Sequence, residues 1–215
     1  MIRILAVADE VDEGLTRSRL LQLEVDLILA CGDLPFDYLE RLRSDAEVPL
    51  LYVHGNHDRS PRHRKVSAYL PAQYTPRKPR EVVGCTDLED KWRDEMGIRV
   101  VGLGGSVRYN DGANQFTQTE MRKRVRQLGR RTRLQRFRDG KGVDIFIAHS
   151  PPLDCGDQRD PPHRGFAAFH KLIERVSPKL MLHGHIHPHG TPRPDRFLGR
   201  TRIVNVVPYR VVEVE

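Results

Sequence analysis

Short apolar runs that each stop at a polar, chemically capable residue constrain this chain more than any other feature. Ile2–Ala8, Val25–Cys31, Pro49–His54, Ile98–Leu103 and Val143–His149 read as buried strands. Leu180–His183 and a C-terminal pair, Thr201–Val207 and Tyr209–Val214, follow. Phe166, Phe169, Leu172, Ile173 and Val176 keep helical spacing, with His170 on the outward face. Thr117 and Glu120 stand at capping-box spacing ahead of Met121, Val125 and Leu128, and Gly129 is expected to interrupt that helix. Strands alternating with helices predict an α/β layered fold, and near-continuous apolar strands predict cover on both faces. Arg59–Asp94, punctuated by Pro61, Pro71, Pro76 and Pro79, reads as a long surface excursion. The 215 residues read as a single domain, long enough to bury a core without disulfides.

Composition narrows the class. No apolar run is long enough to span a membrane, so no membrane partner is expected. The N-terminus reaches Asp9 too early for a signal peptide. Cys31, Cys85 and Cys155 are odd in number and widely spaced, which argues against a disulfide framework and for a cytoplasmic protein. Cys155 has nothing beside it to activate a thiol. The net charge of +7 is unevenly held: residues 122–141 carry ten Lys or Arg against one acid, so +9, which leaves the remainder at −2. Nucleic acid is thus a possible partner only through 122–141, where aromatic residues are sparse; a plain solvated helix is the competing reading. The C-terminal run 211–215 reads as an edge strand on which a second copy could pair, although its alternating glutamates equally blunt that edge.

The polar residues gather at the carboxyl ends of the strands, where α/β sheets place their sites. Strand by strand the chain supplies Asp9; Gly32-Asp33; Gly55-Asn56-His57-Asp58; His149; and Gly184-His185-Ile186-His187. One Asp or His at a strand end caps a turn; six metal-capable residues (Asp9, Asp33, Asn56, His149, His185 and His187) on five strand ends do not arise as capping. Carboxylate, amide oxygen and imidazole suit Mn²⁺, Fe²⁺, Zn²⁺ or Ni²⁺. Two such ions about 3.5–4 Å apart activate water and neutralise a phosphoryl group. Asp33, in its glycine turn, is the natural bridging carboxylate. His185 and His187, two apart, would point the same way from extended backbone.

This series resembles the calcineurin-like metallophosphoesterases over about residues 1–190. The resemblance implies a four-layer αββα sandwich and a metal-dependent phosphoesterase in which a metal-activated hydroxide attacks phosphorus; the compact chain, with no obvious cap domain, favours a phosphodiester or small phosphorylated compound as substrate over a phosphoprotein. It implies one ion on Asp9, Asp33 and His187, and a second on Asp33, Asn56, His149 and His185. It also implies His57 near the leaving oxygen and Asp58 orienting His57. The family's first motif is usually Asp-x-His; here the histidine position holds Val11. Three outcomes are open: water fills the position, Glu10 or Asp12 supplies an oxygen, or a single metal serves. Oxygen or water there favours harder ions, Mn²⁺ or Mg²⁺. Within the same fold a nuclease is the alternative, and outside catalysis a metal-binding scaffold that lost a ligand.

Residues beside these motifs complete the reading. Arg59 and Arg108 are candidate phosphate contacts, and His63, His163 and His189 border the site on loops. His54 is expected to be a buried structural histidine. Gly102-Leu103-Gly104-Gly105-Ser106 lacks the third glycine of a dinucleotide loop, so it reads as a tight turn with close backbone packing, after which Arg108-Tyr109-Asn110 can still reach the mouth of the site. Ser150 lacks the nucleophile-elbow context of a serine hydrolase. A small phosphorylated substrate or phosphodiester is the expected partner.

Overall fold

A computed structural model of the chain describes residues 1–58, 81–191 and 193–215. The first half runs β1 (Ile2–Val7), α1 (Arg17–Leu23), β2 (Leu27–Ala30), α2 (Phe36–Ala46), β3 (Leu50–Tyr52) and β4 (Thr86–Asp87). Next come β5 (Lys91–Glu95), β6 (Ile98–Leu103), the short β7 (Ser106–Val107) and β8 (Gln115–Phe116), and α3 (Gln118–Asp139). The chain closes with β9 (Ile145–Ala148), α4 (Ala167–Val176), β10 (Leu180–His183), β11 (Arg196–Leu198), β12 (Thr201–Asn205) and β13 (Tyr209–Val214).

Two sheets result. One is ordered β13-β1-β2-β3-β4 and the other β11-β12-β10-β9-β6-β5. Inner pairs are parallel, and the antiparallel pairs β1–β13, β5–β6 and β11–β12 lie at the edges. The pleat explains the continuous apolar runs. Ile4, Ala6, Leu27, Leu29 and Leu51 face the second sheet, where Val100, Ile145, Leu182 and Val204 meet them. Leu5, Val7, Ile28 and Ala30 face outward and are covered by Leu20, Leu23, Leu39 and Leu42 of α1 and α2. Val101, Phe146 and Met181 turn the other way, onto Val125, Leu128, Phe169 and Leu172 of α3 and α4. Both faces of each sheet are therefore dry, which is the αββα sandwich.

Three expectations change. Gly129 does not interrupt α3, which runs on to Asp139. It is buried at the crossing with α4, where a Cβ would lie 3.1 Å from Arg175 Cδ, so its smallness serves packing and not helix ending. The described part of the expected excursion, from residue 81, is not loop alone. β4 adds to the edge of the first sheet and β5 to the second, with Trp92 beneath the Arg99 guanidinium. His170 is half-buried, and its Nε2–H donates to Leu153 O at 2.7 Å. The edge position of the C-terminal strand stands, but Val212 and Val214 are buried between the sheets. The capping box at Thr117 and Glu120 is present as expected. No helix among the described residues is long and apolar enough to cross a membrane.

Candidate metal centre

The parallel strands β1, β2, β3, β9 and β10 end along one rim, and each following turn carries one of the predicted residues. Tight turns let their carboxylates approach the backbone opposite. Asp9 and Asp33 take left-handed φ values of 63° and 56°. Asp9 Oδ2 accepts from the His185 amide at 2.8 Å, and a Cβ on Gly184 would lie 2.2 Å from that oxygen. A Cβ on Gly55 would lie 2.0 Å from Asp33 Oδ1. These glycines are needed because a carboxylate occupies the space a side chain would fill.

His149 sits at the centre with no exposure. Its Nδ1–H donates to Cys31 O at 2.9 Å, while Nε2 faces Asn56 Oδ1 at 2.9 Å and Asp33 Oδ2 at 3.2 Å. With Nδ1 spent on a carbonyl, Nε2 and two oxygens form a cluster of acceptors that only a proton or a cation can reconcile. Without a cation the proton must serve. Burial opposes it, but Asp33 and Asp9 prevail and push His149 up to about 10. The counterpart appears in Asp33, where burial is overcome by His149 and the carboxyl falls to about 2. Burial raises Asp9 to about 6. A divalent cation would satisfy the same acceptors, so the donor set fits one.

Asp9, His149 and His185 offer ligand atoms that all lie within 4.8 Å of one another. This trio draws from both expected ligand sets. His185 Nε2–H donates to Pro162 O at 2.7 Å, which leaves Nδ1 its lone pair, and burial lowers its pKa to about 3. The expectation that His185 and His187 project alike from extended backbone fails, because His185 has φ 68°. The turn sends His185 to the Pro162 side. His187 instead reaches Glu10, donating Nδ1–H to Oε1 at 2.7 Å, and brings Nε2 to 3.9 Å from Asp9 Oδ1.

The Val11 position is thereby clarified. Val11 is exposed, and Asp12 Oδ1 is folded onto the Gly14 amide at 2.7 Å. Glu10 holds a histidine, in the carboxylate–histidine arrangement that orients metal ligands. His57 is exposed at the rim, its amide donating to Asp33 Oδ1 at 2.8 Å. Asp58 Oδ2 accepts from the amides of Asp33 at 2.9 Å and Gly55 at 2.7 Å, so this carboxylate braces two turns, where orientation of the His57 ring was expected.

Among the candidate substrate contacts, Arg59 lies outside the described residues, as does His63. Arg108 is tied to Glu120 at 3.0 Å, within the α3 capping box. His163 packs its ring 5.4 Å from that of His185 and pairs with Asp160. His189 lies 6.3 Å, ring to ring, from His187. Tyr109 stands at the site, as the stretch after the glycine turn was expected to, while Asn114 and Glu89 were not foreseen from sequence. Tyr109 Oη accepts from Asn56 Nδ2 at 3.2 Å. Buried Asn114 donates to Gly55 O at 2.8 Å and Asp58 O at 3.1 Å, clasping the Gly-Asn-His-Asp turn. Glu89 accepts from the Gly104 amide at 3.1 Å and the His54 amide at 3.3 Å beneath it. No spacing marks Asn114 or Glu89; only the glycines opposite them, Gly105 and Gly104, gave a signal. A Cβ on Gly104 would lie 2.2 Å from His54 O, which is the close packing expected of that turn.

A family model described as calcineurin-like phosphoesterase matches residues 3–189. No curated protein matches the chain. The crystal structure of TT1561 of Thermus thermophilus is similar at a TM-score of 0.60 and 17% identity, over 95% of this chain and 88% of that one. A further crystal structure is similar at 0.60 and 14% identity, over 94% and 89%. These likenesses show the fold.

Proposed function

This chain belongs to the calcineurin-like phosphoesterase family, generally metal-dependent hydrolases, and from that premise we propose that it hydrolyses a small phosphodiester at a two-metal rim. One observation carries the reading: the acceptor cluster of His149 Nε2, Asn56 Oδ1 and Asp33 Oδ2, closed within reach of Asp9 and His185. Asp9, Asp33 and His187 would hold one ion, and Asp33, Asn56, His149 and His185 the other, with Mn²⁺ preferred among Mn²⁺, Fe²⁺, Zn²⁺ and Ni²⁺. When bound, such ions supply Lewis-acid activation of water and charge neutralisation at phosphorus.

The chain's own groups do the rest. Cys31 O and Pro162 O fix the tautomers of His149 and His185, so each presents one lone pair inward. Glu10 does the same for His187. Asp58 and Asn114 hold the Gly-Asn-His-Asp turn, which sets His57 at the exposed mouth to donate a proton to the leaving oxygen. Tyr109 Oη, beside Asn56, is placed to meet the ester's non-bridging oxygens.

The test is hydrolysis of a chromogenic phosphodiester by metal-stripped protein, with and without Mn²⁺, against the Asp33→Ala variant. Turnover that needs Mn²⁺ and is lost in the variant supports the reading. A flat result, repeated with a monoester and other divalent ions, would make a metal-binding scaffold the better account.

A further inference from the structure

The pleat of β10 sends Leu182 between the sheets and His183 to the other face, with Met181. There, separate from the rim residues, His183 helps line a cleft of about 690 Å³, a volume suited to a small molecule. Four guanidiniums surround it: Arg159, Arg164, Arg193 and Arg196. Among the described residues none of the four pairs with a carboxylate, unlike Arg99, Arg108, Arg124 and Arg202 elsewhere. Two acids also line the cleft, Asp154 and Asp157, and Asp157 Oδ2 is taken by the Gly165 amide at 2.9 Å. The lining therefore keeps a net positive charge of two.

Arg193 carries the most specific sign. With its amide oriented to suit both neighbours, Gln158 accepts from Arg193 Nη2 at 2.6 Å and donates to Asp160 at 3.3 Å. The guanidinium is thus held in place; its Nε is shielded from the cleft and has no hydrogen-bond partner, so an anion there would be met by the Nη groups. Tetrahedral oxyanions match the guanidinium fork, and several forks facing one space suit a phosphate better than a carboxylate.

We propose that this cleft is a second anion site, which binds a phosphate group through Arg193 with Arg159, Arg164 and Arg196. The phosphate is either the free ion or a terminal group on a substrate molecule. The loop between them couples cleft and rim: Gln158, Arg159 and Arg164 line the cleft, while Pro162 O and the His163 ring touch His185.

The experiment is calorimetric titration of inorganic phosphate into metal-stripped full-length protein, which stands whether or not the chain turns over diesters. We expect one site per chain, weakened about ten- to a hundredfold in Arg193→Gln/Arg196→Gln and unchanged in Asp33→Ala. Thermal unfolding of each variant checks the fold, and Arg164→Gln, on an exposed residue, provides a second variant. Absence of binding, or binding that survives the arginine changes or is lost in Asp33→Ala, would overturn the proposal. In the Mn²⁺-loaded protein the sources separate. A KM raised by the arginine changes only for a diester bearing an added terminal phosphate assigns the cleft to substrate. Equal KM values, with phosphate binding lost, assign it to the free ion.

Discussion

Glu10 and Gly184 show how much of the candidate metal rim depends on residues outside the proposed ligand set. Glu10 takes the Nδ1–H of His187, so the other nitrogen faces Asp9. Glu10→Ala is expected to weaken Mn²⁺ affinity about 10–100-fold in a titration of metal-stripped protein, since orienting partners of ligating histidines contribute that much. Unchanged affinity would remove His187 from the ligand set. Gly184→Ala is a steric probe of the same region. Its Cβ would sit 2.2 Å from Asp9 Oδ2 and 2.6 Å from Ala8 Cβ. We expect a loss of about 1–3 kcal/mol, or roughly 2–12 °C in thermal midpoint, with metal affinity falling further as Asp9 is displaced. At this scale the rim residues proposed as ligands were legible from sequence, because each sits at the end of an apolar run. Asn114 was not, because nothing local distinguishes a clasping amide from a turn residue.

Single elements are joined to the rim by buried ion pairs. α3 starts beside the rim and runs antiparallel to β6: Arg124, near its start, donates to Gly104 O after β6, while Asp139, at its end, pairs with Arg99 at the start of β6. Arg124 pairs with Glu89 and Asp90 and stacks on Phe116. Arg124→Met removes the guanidinium that pairs with buried Glu89 and with Asp90, and should cost about 3–5 kcal/mol, roughly 6–20 °C in thermal midpoint. A loss near zero would show that the turn at Gly104 does not depend on this pair. At the far end Arg99 has no exposure and is bonded by Asp94 and Asp139. Hydrogen bonds from Arg99 hold both carboxyls below their usual range. The unfolded chain therefore binds more protons at acid pH than the folded one. This contribution is complete above about pH 4 and drains as pH falls further. Acid unfolding of Arg99→Met should accordingly show a shallower pH dependence below pH 4 than the parent. The capping box that starts α3 was readable because caps are local, whereas Gly129 was misread because only α4 gives it a packing duty.

For the whole molecule, the direction of α3 decides what its charge can do. Arg124 is structural, and Arg130, Arg131, Arg133, Arg136 and Arg138 are exposed on the half of the helix that runs away from the rim. They are badly placed to steer an ester onto the rim. Changing Arg130, Arg131, Arg133 and Arg136 to Gln should leave turnover of a small diester within about twofold. If the nuclease reading holds, the same change should flatten the salt dependence of DNA or RNA binding by about 0.7–0.9 in log–log slope per lost phosphate contact. Unaltered binding and slope would leave this face a solvated one.

What the sequence determined by itself was local: which runs are strands, which residue ends each one, and that dry faces on both sides demand layers of helix and sheet. Hydrophobic period and turn chemistry are written within a few neighbours, so these needed no coordinates. Tertiary structure decided convergence. His149 meets Cys31 and Asn56 across 118 and 93 positions of chain, and Asp9 takes the amide of His185 across 176. The left-handed turn at His185, the hold of Glu10 on His187 and the meeting of four arginines beneath β10 depend on such crossings. Sequence spacing carries no record of them, since packing and not proximity in the chain sets which groups share a space.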